Sequence, residues 1–183
     1  TSGTGSDTFP QNQGDTAVFG SNLAGDQLIN VPASNLFLGS MQFDTSHSIT
    51  FNGAVGSKFT FAYAQGGNPP SAALDLLNNT SATFNLPVQF NSPWQITTIG
   101  NSIARFTQQV SGGTNIIQRG TGTVDFGGAG INHTFTGSHS VLGGTASVTG
   151  STLTVGNVTL NNGQLTGSGE VNGISFGGGT TNV

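Results

Sequence analysis

The amino-acid sequence predicts an all-β chain wound into a parallel β-solenoid, and three observations carry that expectation. Short apolar runs rich in Val, Ile, Thr and Phe recur along the chain and close on Gly, Asn, Ser or Pro, the residues that make turns. No stretch keeps a 3.6-residue period for three turns, and the strong helix formers Lys and Glu are almost missing. From Gly137 onward, three- or four-residue strands alternate with two- or three-residue turns, which leaves no room for the arms of a hairpin. Such spacing suits a chain that coils round an axis, each strand pairing with the coil above and the coil below.

The runs read as strands are, in order, NLFLG (35–39), SMQFD (40–44), SITFNG (48–53), SKFTFAY (57–63), SATFNLPVQF (81–90), WQITTIG (94–100) and SIARFTQQV (102–110). TNIIQ (114–118), GTVDFGG (122–128), HTFTG (133–137) and ASVTG (146–150) follow, and then TLTV, VTL, QLT, EVNG and ISF, separated by Gly and Asn corners. Gly and Asn tolerate the positive φ that such corners need. A coil of roughly 20–25 residues gives about seven or eight rungs and, at about 4.8 Å per rung, a body some 35–40 Å long. Two segments break the pattern: SNLAGDQLINVPAS (21–34) and AQGGNPPSAA (64–73), the second reading as a projecting loop after its glycines and Pro69–Pro70.

The core is expected to narrow along the axis. Twelve of the 13 Phe lie at or before Phe135, and the inward candidates beyond it are small: Val148, Leu153, Val155, Val158, Leu160, Leu165 and Val171. The domain reading is an N-terminal arm or cap over 1–20 and one solenoid over 21–183, Phe-rich to about 136 and slimmer over 137–183.

Only 5% of the 183 residues are charged, against about 25% in ordinary domains. Yet 33% are hydrophobic, so the chain has a core to bury and a neutral polar outside. Lys58, Arg105 and Arg119 are the only firm cations beside seven acids, which argues against a nucleic-acid or anionic-membrane partner. No apolar run approaches the ~20 residues of a spanning helix, and the N-terminus does not read as a signal peptide, so a leader is expected to have been removed or never present. With no cysteine, disulfides and thiolate chemistry are excluded.

The runs also resemble the autotransporter-associated β-strand repeat proteins. DTAVFG (15–20) followed by NLFLGSMQFDTSHSITFNG (35–53) looks like that family's opening pattern, and SATFNLPVQF like its mid-repeat strand pair. IIQRGTGTVDFGGAGINHTFTGSHSVLGGTASVTGSTLTV (116–155) is similar to the repeat proper, with its "tFtG" and "GGTasV" steps. The resemblance covers most of 15–176. It implies a right-handed parallel β-helix on a bacterial surface, extracellular and non-enzymatic, serving as scaffold or adhesin, and it assigns no functional residue.

Reactive chemistry is sparse. Asp44, Asp75 and Asp125 are the acids nearest strand ends, and a polysaccharide-cleaving β-helix would need two or three carboxylates on one face with a cation nearby. Solvated or turn-capping roles are expected instead, with Arg105 and Arg119 snorkelling or pairing with such an Asp. His47, His133 and His139 are read as surface residues rather than metal ligands, since no acid or Cys accompanies the last two, six residues apart. Asn78, Asn79, Asn132 and Asn157 begin N-x-[ST] triplets of the kind that an Asn/Thr-rich chain contains by chance, and no Gly-x-Ser-x-Gly elbow is present. No catalytic residue, metal site or cofactor is assigned.

An open solenoid ends in unpaired backbone groups, and a surface so poor in charge resists association weakly. The expected function is a structural subunit that joins its own copies head-to-tail into an extracellular fibre or layer, with Phe9, Val18, Phe19, Ile174 and Phe176 as the assembly interface. The alternative is a monomeric or tethered adhesin for surface glycans. Ice binding through Thr arrays fits less well, because the T-x-T units keep no fixed period, and a polysaccharide-cleaving activity fits less well for want of the acid cluster.

Overall fold

A computed structural model describes residues 12–63, 72–175 and 180–181, with side chains described up to 172. Among the described residues there is no helix, and all strand pairing is parallel, in a solenoid of about seven turns. Each turn visits three faces in the same order. The first face holds β1 (Thr16–Phe19), β4 (Ser40–Asp44), β7 (Ala72–Leu77), β10 (Trp94–Thr98) and β13 (Ile116–Gly120). The second holds β2 (Gln27–Val31), β5 (Ser48–Gly53), β8 (Ser81–Asn85), β11 (Ile103–Phe106), β14 (Thr123–Gly127), β16 (Thr145–Thr149), β18 (Gln164–Gly167) and β20 (Thr180–Thr181). The third holds β3 (Asn35–Leu38), β6 (Lys58–Phe61), β9 (Val88–Phe90) and β12 (Val110–Gly112).

Beyond β14 the third and first faces fuse. β15 (Asn132–Val141), β17 (Thr152–Leu160) and β19 (Glu170–Ser175) each run along one face, bend, and continue along the other. TLTV and VTL, read from sequence as separate strands, are therefore two halves of β17. Gly137 and Gly156 make the bend possible in β15 and β17. A Cβ on Gly137 would lie 2.1 Å from the Thr114 carbonyl oxygen, and one on Gly156 2.6 Å from that of Thr136.

The chain shortens its circuit as it climbs. On the second face Val124 pairs with Ala146, Ala146 with Leu165 and Leu165 with Thr181, steps of 22, 19 and 16 residues. The inward column on this face shows what that shortening does: Phe51, Phe84, Phe106 and Phe126 pair in register, then Val148, then Gly167. Successive Phe rings stack with centroids 5.2, 5.1 and 5.9 Å apart. Trp94 fills the middle, 4.9 Å from Phe61, 5.5 Å from Phe90 and 5.7 Å from Phe106. Of the small inward candidates, Val148, Leu153, Val155, Val158, Leu160 and Leu165 are buried and Val171 packs against the core.

Two sequence readings change. QLINV, placed in an irregular segment, is β2, whose Ile29 and Val31 pair with Phe51 and Gly53. SIARFTQQV is two strands with a corner between them, β11 and β12. Within the span 1–20, expected as an arm or cap, Thr16–Phe19 form β1 in register with β4. In each case tertiary pairing decides what the local pattern left ambiguous. In the expected loop 64–73, Ala72 and Ala73 open β7 and the rest lies outside the described residues. Among the described residues, no helix is long and apolar enough to cross a membrane.

Phe84 is fully buried between the rings of Phe43, Phe51, Phe59 and Phe106. Phe84→Ala should therefore cost about 3–5 kcal/mol in denaturant unfolding. Val55→Ala, at a corner residue 98% exposed, should shift the midpoint negligibly. Val148→Phe, which puts the larger ring where the coil has narrowed, should cost about 1–3 kcal/mol by overpacking.

Candidate functional site

Outward side chains on the second face stand in a grid, because in-register parallel strands place every second residue of one turn above its equivalent in the last. One row runs Thr50, Thr83, Arg105, Asp125, Ser147, Thr166. The neighbouring row contains Ile103, Thr123, Thr145 and Gln164. On the other side Asn52 and Asn85 stand beside each other, the Asn85 amide donates to Asn52 Oδ1 at 2.9 Å, and the Thr107 hydroxyl donates to Asn85 Oδ1 at 2.7 Å. The row then reaches Gly127 and Thr149.

A groove of about 330 Å³ lies in this grid over β11, β14 and β16. Gly127 opens it, since it sits between Thr107 and Thr149 and has no side chain; Gly128 extends the opening. A Cβ added to Gly127 would make only ordinary contacts, 3.5 Å to Asp125 Oδ2 and 3.7 Å to the Phe106 carbonyl. At the groove's centre Arg105 Nε donates to Asp125 Oδ2 at 3.0 Å. Asp125 is buried and Arg105 is half exposed. Asp125 Oδ1 is also buried and receives no hydrogen bond. The sequence reading that an arginine pairs with a strand-end Asp holds for this pair, though Asp125 sits within its strand and not at its end.

The other acids do not join it. Asp44 and Asp75 lie on the first face, where Asp44 accepts from the Asn78 amide and Asp75 stands between Gln42 and Thr97 in register. The carboxylate cluster of a glycan-cleaving β-helix is thus divided between faces. Arg119 is opposite Thr97, and Lys58 donates to Gln89 Oε1 at 2.6 Å on the third face. Among the described residues no three His, Cys, Asp or Glu side chains come close enough to hold a metal ion.

His133 and His139 correct the surface reading: both are fully buried against Phe126, with centroids 5.5 Å from its ring in each case. Strand alternation puts them there, since His133 and Phe135 share the inward side of β15, as do His139 and Val141 after the bend. The H-x-F and H-x-V spacing was the available signal, outweighed by the polarity of histidine. The Val110 N–H donates to His133 Nδ1 at 3.2 Å, so Nε2 carries the proton and donates to the Gly127 carbonyl at 2.9 Å. Burial lowers the His133 pKa, opposed by that Gly127 bond and by the Asp125 charge. Neither ring nitrogen of His139 has a partner, and burial pushes its pKa down to about 4. His47 stays at the surface, 3.9 Å from Asp26.

The expected assembly residues separate. Val18 is exposed on the edge strand β1. Phe19 turns inward, stacks on Phe43 at 4.9 Å and packs against the core. The Ile174 backbone pairs with Val158, its side chain falling outside the described set, and Phe9 and Phe176 lie outside the described residues.

Comparison with known proteins gives no match: no family model, no curated protein and no solved structure is similar to this chain. Fold and site together define the class: a parallel β-solenoid with a tapering core and a polar lateral groove.

Because His133 and His139 titrate near 6.5 when unfolded and lower when folded, the unfolded chain takes up protons first on acidification. Stability should be complete above about pH 6.5 and fall below it, by up to ~1.4 kcal/mol per pH unit for each histidine and, for His139, down to about pH 4. Unfolding midpoints at pH 7.5, 6.5 and 5.5 check this, and His139→Leu should flatten the slope.

Proposed function

We propose that this chain is a non-enzymatic structural β-solenoid of a bacterial surface, which extends by adding strands of a further copy at its ends. The observation that carries this reading is the state of those ends. Among the described residues β1, β2 and β3 pair only with the second turn, and β19 and β20 only with the turn before them. Each therefore presents one row of backbone N–H and C=O groups without a strand partner among the described residues, the template that edge pairing uses. Edge charges that normally discourage such pairing are sparse: β1 and β2 contain none, and each exposes a large aliphatic outward, Val18 on β1 and Leu28 on β2.

The taper restricts how two copies meet. Thr16 and Ser40 are 24 residues apart on the first turn, whereas Thr159 and Ser175 are 16 apart on the last. Unequal outlines cannot overlie each other on every face, so strand addition on one or two faces is favoured over a full end-to-end stack. Contact through unlike ends is heterologous and propagates as a filament unless it closes.

Electron microscopy of the purified protein should show filaments with an axial repeat of roughly 35–45 Å per copy. Val18→Lys with Leu28→Lys, both at exposed positions, should leave the unfolding midpoint unchanged and return a monomer by analytical ultracentrifugation. A wild-type chain that stays monomeric at millimolar concentration would sink the reading.

A further inference from the structure

We propose that the groove over β11, β14 and β16 binds a neutral, hydroxyl-rich ligand, a saccharide unit of a surface or matrix glycan. This does not depend on whether the ends join other copies.

The charge at the site excludes other ligand classes. Arg105 and Asp125 neutralise each other at 3.0 Å, so the groove attracts neither anions nor cations strongly. An anion would meet the Asp125 carboxylate, and a metal ion would find one carboxylate already engaged by a guanidinium. A hydroxyl fits this pair differently. It both donates and accepts, while Asp125 offers acceptors only and Arg105 donors only. Among the described residues the Arg105 side chain makes no hydrogen bond other than that from Nε, leaving its terminal N–H groups for a ligand oxygen.

Asp125 is the second, independent pointer. Its residue is 7% exposed and its Oδ1 has no donor. A buried charged acceptor left without a donor is costly, and a native structure that retains one calls for a physical reason, such as an ordered water or a ligand beside it. The oxygen on the groove side is Oδ2, which Arg105 Nε already reaches and which lies 3.5 Å from where a Gly127 Cβ would stand, so a ligand meets the carboxylate along this edge. Two adjacent ligand hydroxyls, as on a sugar ring, would then take one carboxylate oxygen and one guanidinium N–H.

The walls complete the match. Ser147 and Thr149 hydroxyls are 3.0 Å apart and either can donate, so this pair adapts to a ligand group of either polarity. Ile103 gives an aliphatic surface for ring C–H groups. The missing side chain at Gly127 gives the ligand its depth, and the modest volume limits it to a residue or two.

The test is titration of the ¹⁵N-labelled chain with maltohexaose, cellohexaose and chitohexaose in turn, with calcium chloride and sodium phosphate as charged controls, followed by amide shifts. At least one neutral oligosaccharide should move the Gly127, Gly128, Ser147 and Thr149 amides together. Gly127→Ala, whose new methyl meets nothing closer than 3.5 Å, should keep the wild-type unfolding midpoint and weaken that binding. Gly127→Val should weaken it ten-fold or more, as should Asp125→Asn. Shifts produced by calcium or phosphate alone, no response to any of the three oligosaccharides, or unchanged affinity in a folded Gly127→Val protein would each overturn the proposal. Running the titration on the Val18→Lys, Leu28→Lys protein separates it from assembly: saccharide binding there stands whether or not filaments form.

Discussion

Every feature of this molecule depends on one constraint, the in-register parallel pairing of each turn with the next. Pairing fixes the vertical spacing at the strand-to-strand distance and sets equivalent residues of successive turns above each other. A side chain is then chosen against its own column. Phenylalanine above phenylalanine stacks well, which is how Phe51, Phe84, Phe106 and Phe126 come to share one column. Once Val148 and Gly167 continue that column, the space inside has shrunk, and the chain needs fewer residues to go round. Taper and composition are thus one fact seen from two directions.

The same alternation that builds the core also decides where polar groups end up. Inward positions of β15 include His133 and His139, held neutral by burial, with His133 further held by its bonds to Val110 and Gly127. Outward positions of β11 and β14, on another face, include Arg105 and Asp125. Gly127 links the two sides of the sheet: its carbonyl accepts from His133 inside, and its missing Cβ shapes the groove outside. The buried histidine and the groove on the outer face therefore share one backbone residue.

Much of this was legible in the chain. All-β character, short coiled strands, the approximate number of turns and the narrowing beyond Phe135 follow from strand propensity, turn residues and the distribution of Phe. The second strand was not legible, because QLINV sits between Gly-rich and Pro-containing segments and its alternation is weak until Phe51 is seen opposite Ile29. The inward place of His133 and His139 is not legible, because a polar residue on an inward position looks like a surface residue until its neighbours are known. Asp44, Asp75 and Asp125 looked equivalent along the chain, yet pairing sends two to one face and the third to another.

Local chemistry is what sequence by itself determined here: which residues favour strand, which corners accept Gly or Asn, and which stretches have bulk to bury. Those are properties of a residue and its near neighbours. Tertiary structure alone decided the columns, since residues 16 to 33 positions apart become neighbours only when register is set. The Arg105–Asp125 pair, the buried histidines and the groove at Gly127 are column properties. They exist because one turn sits on another, and a chain read in one dimension does not contain that distance.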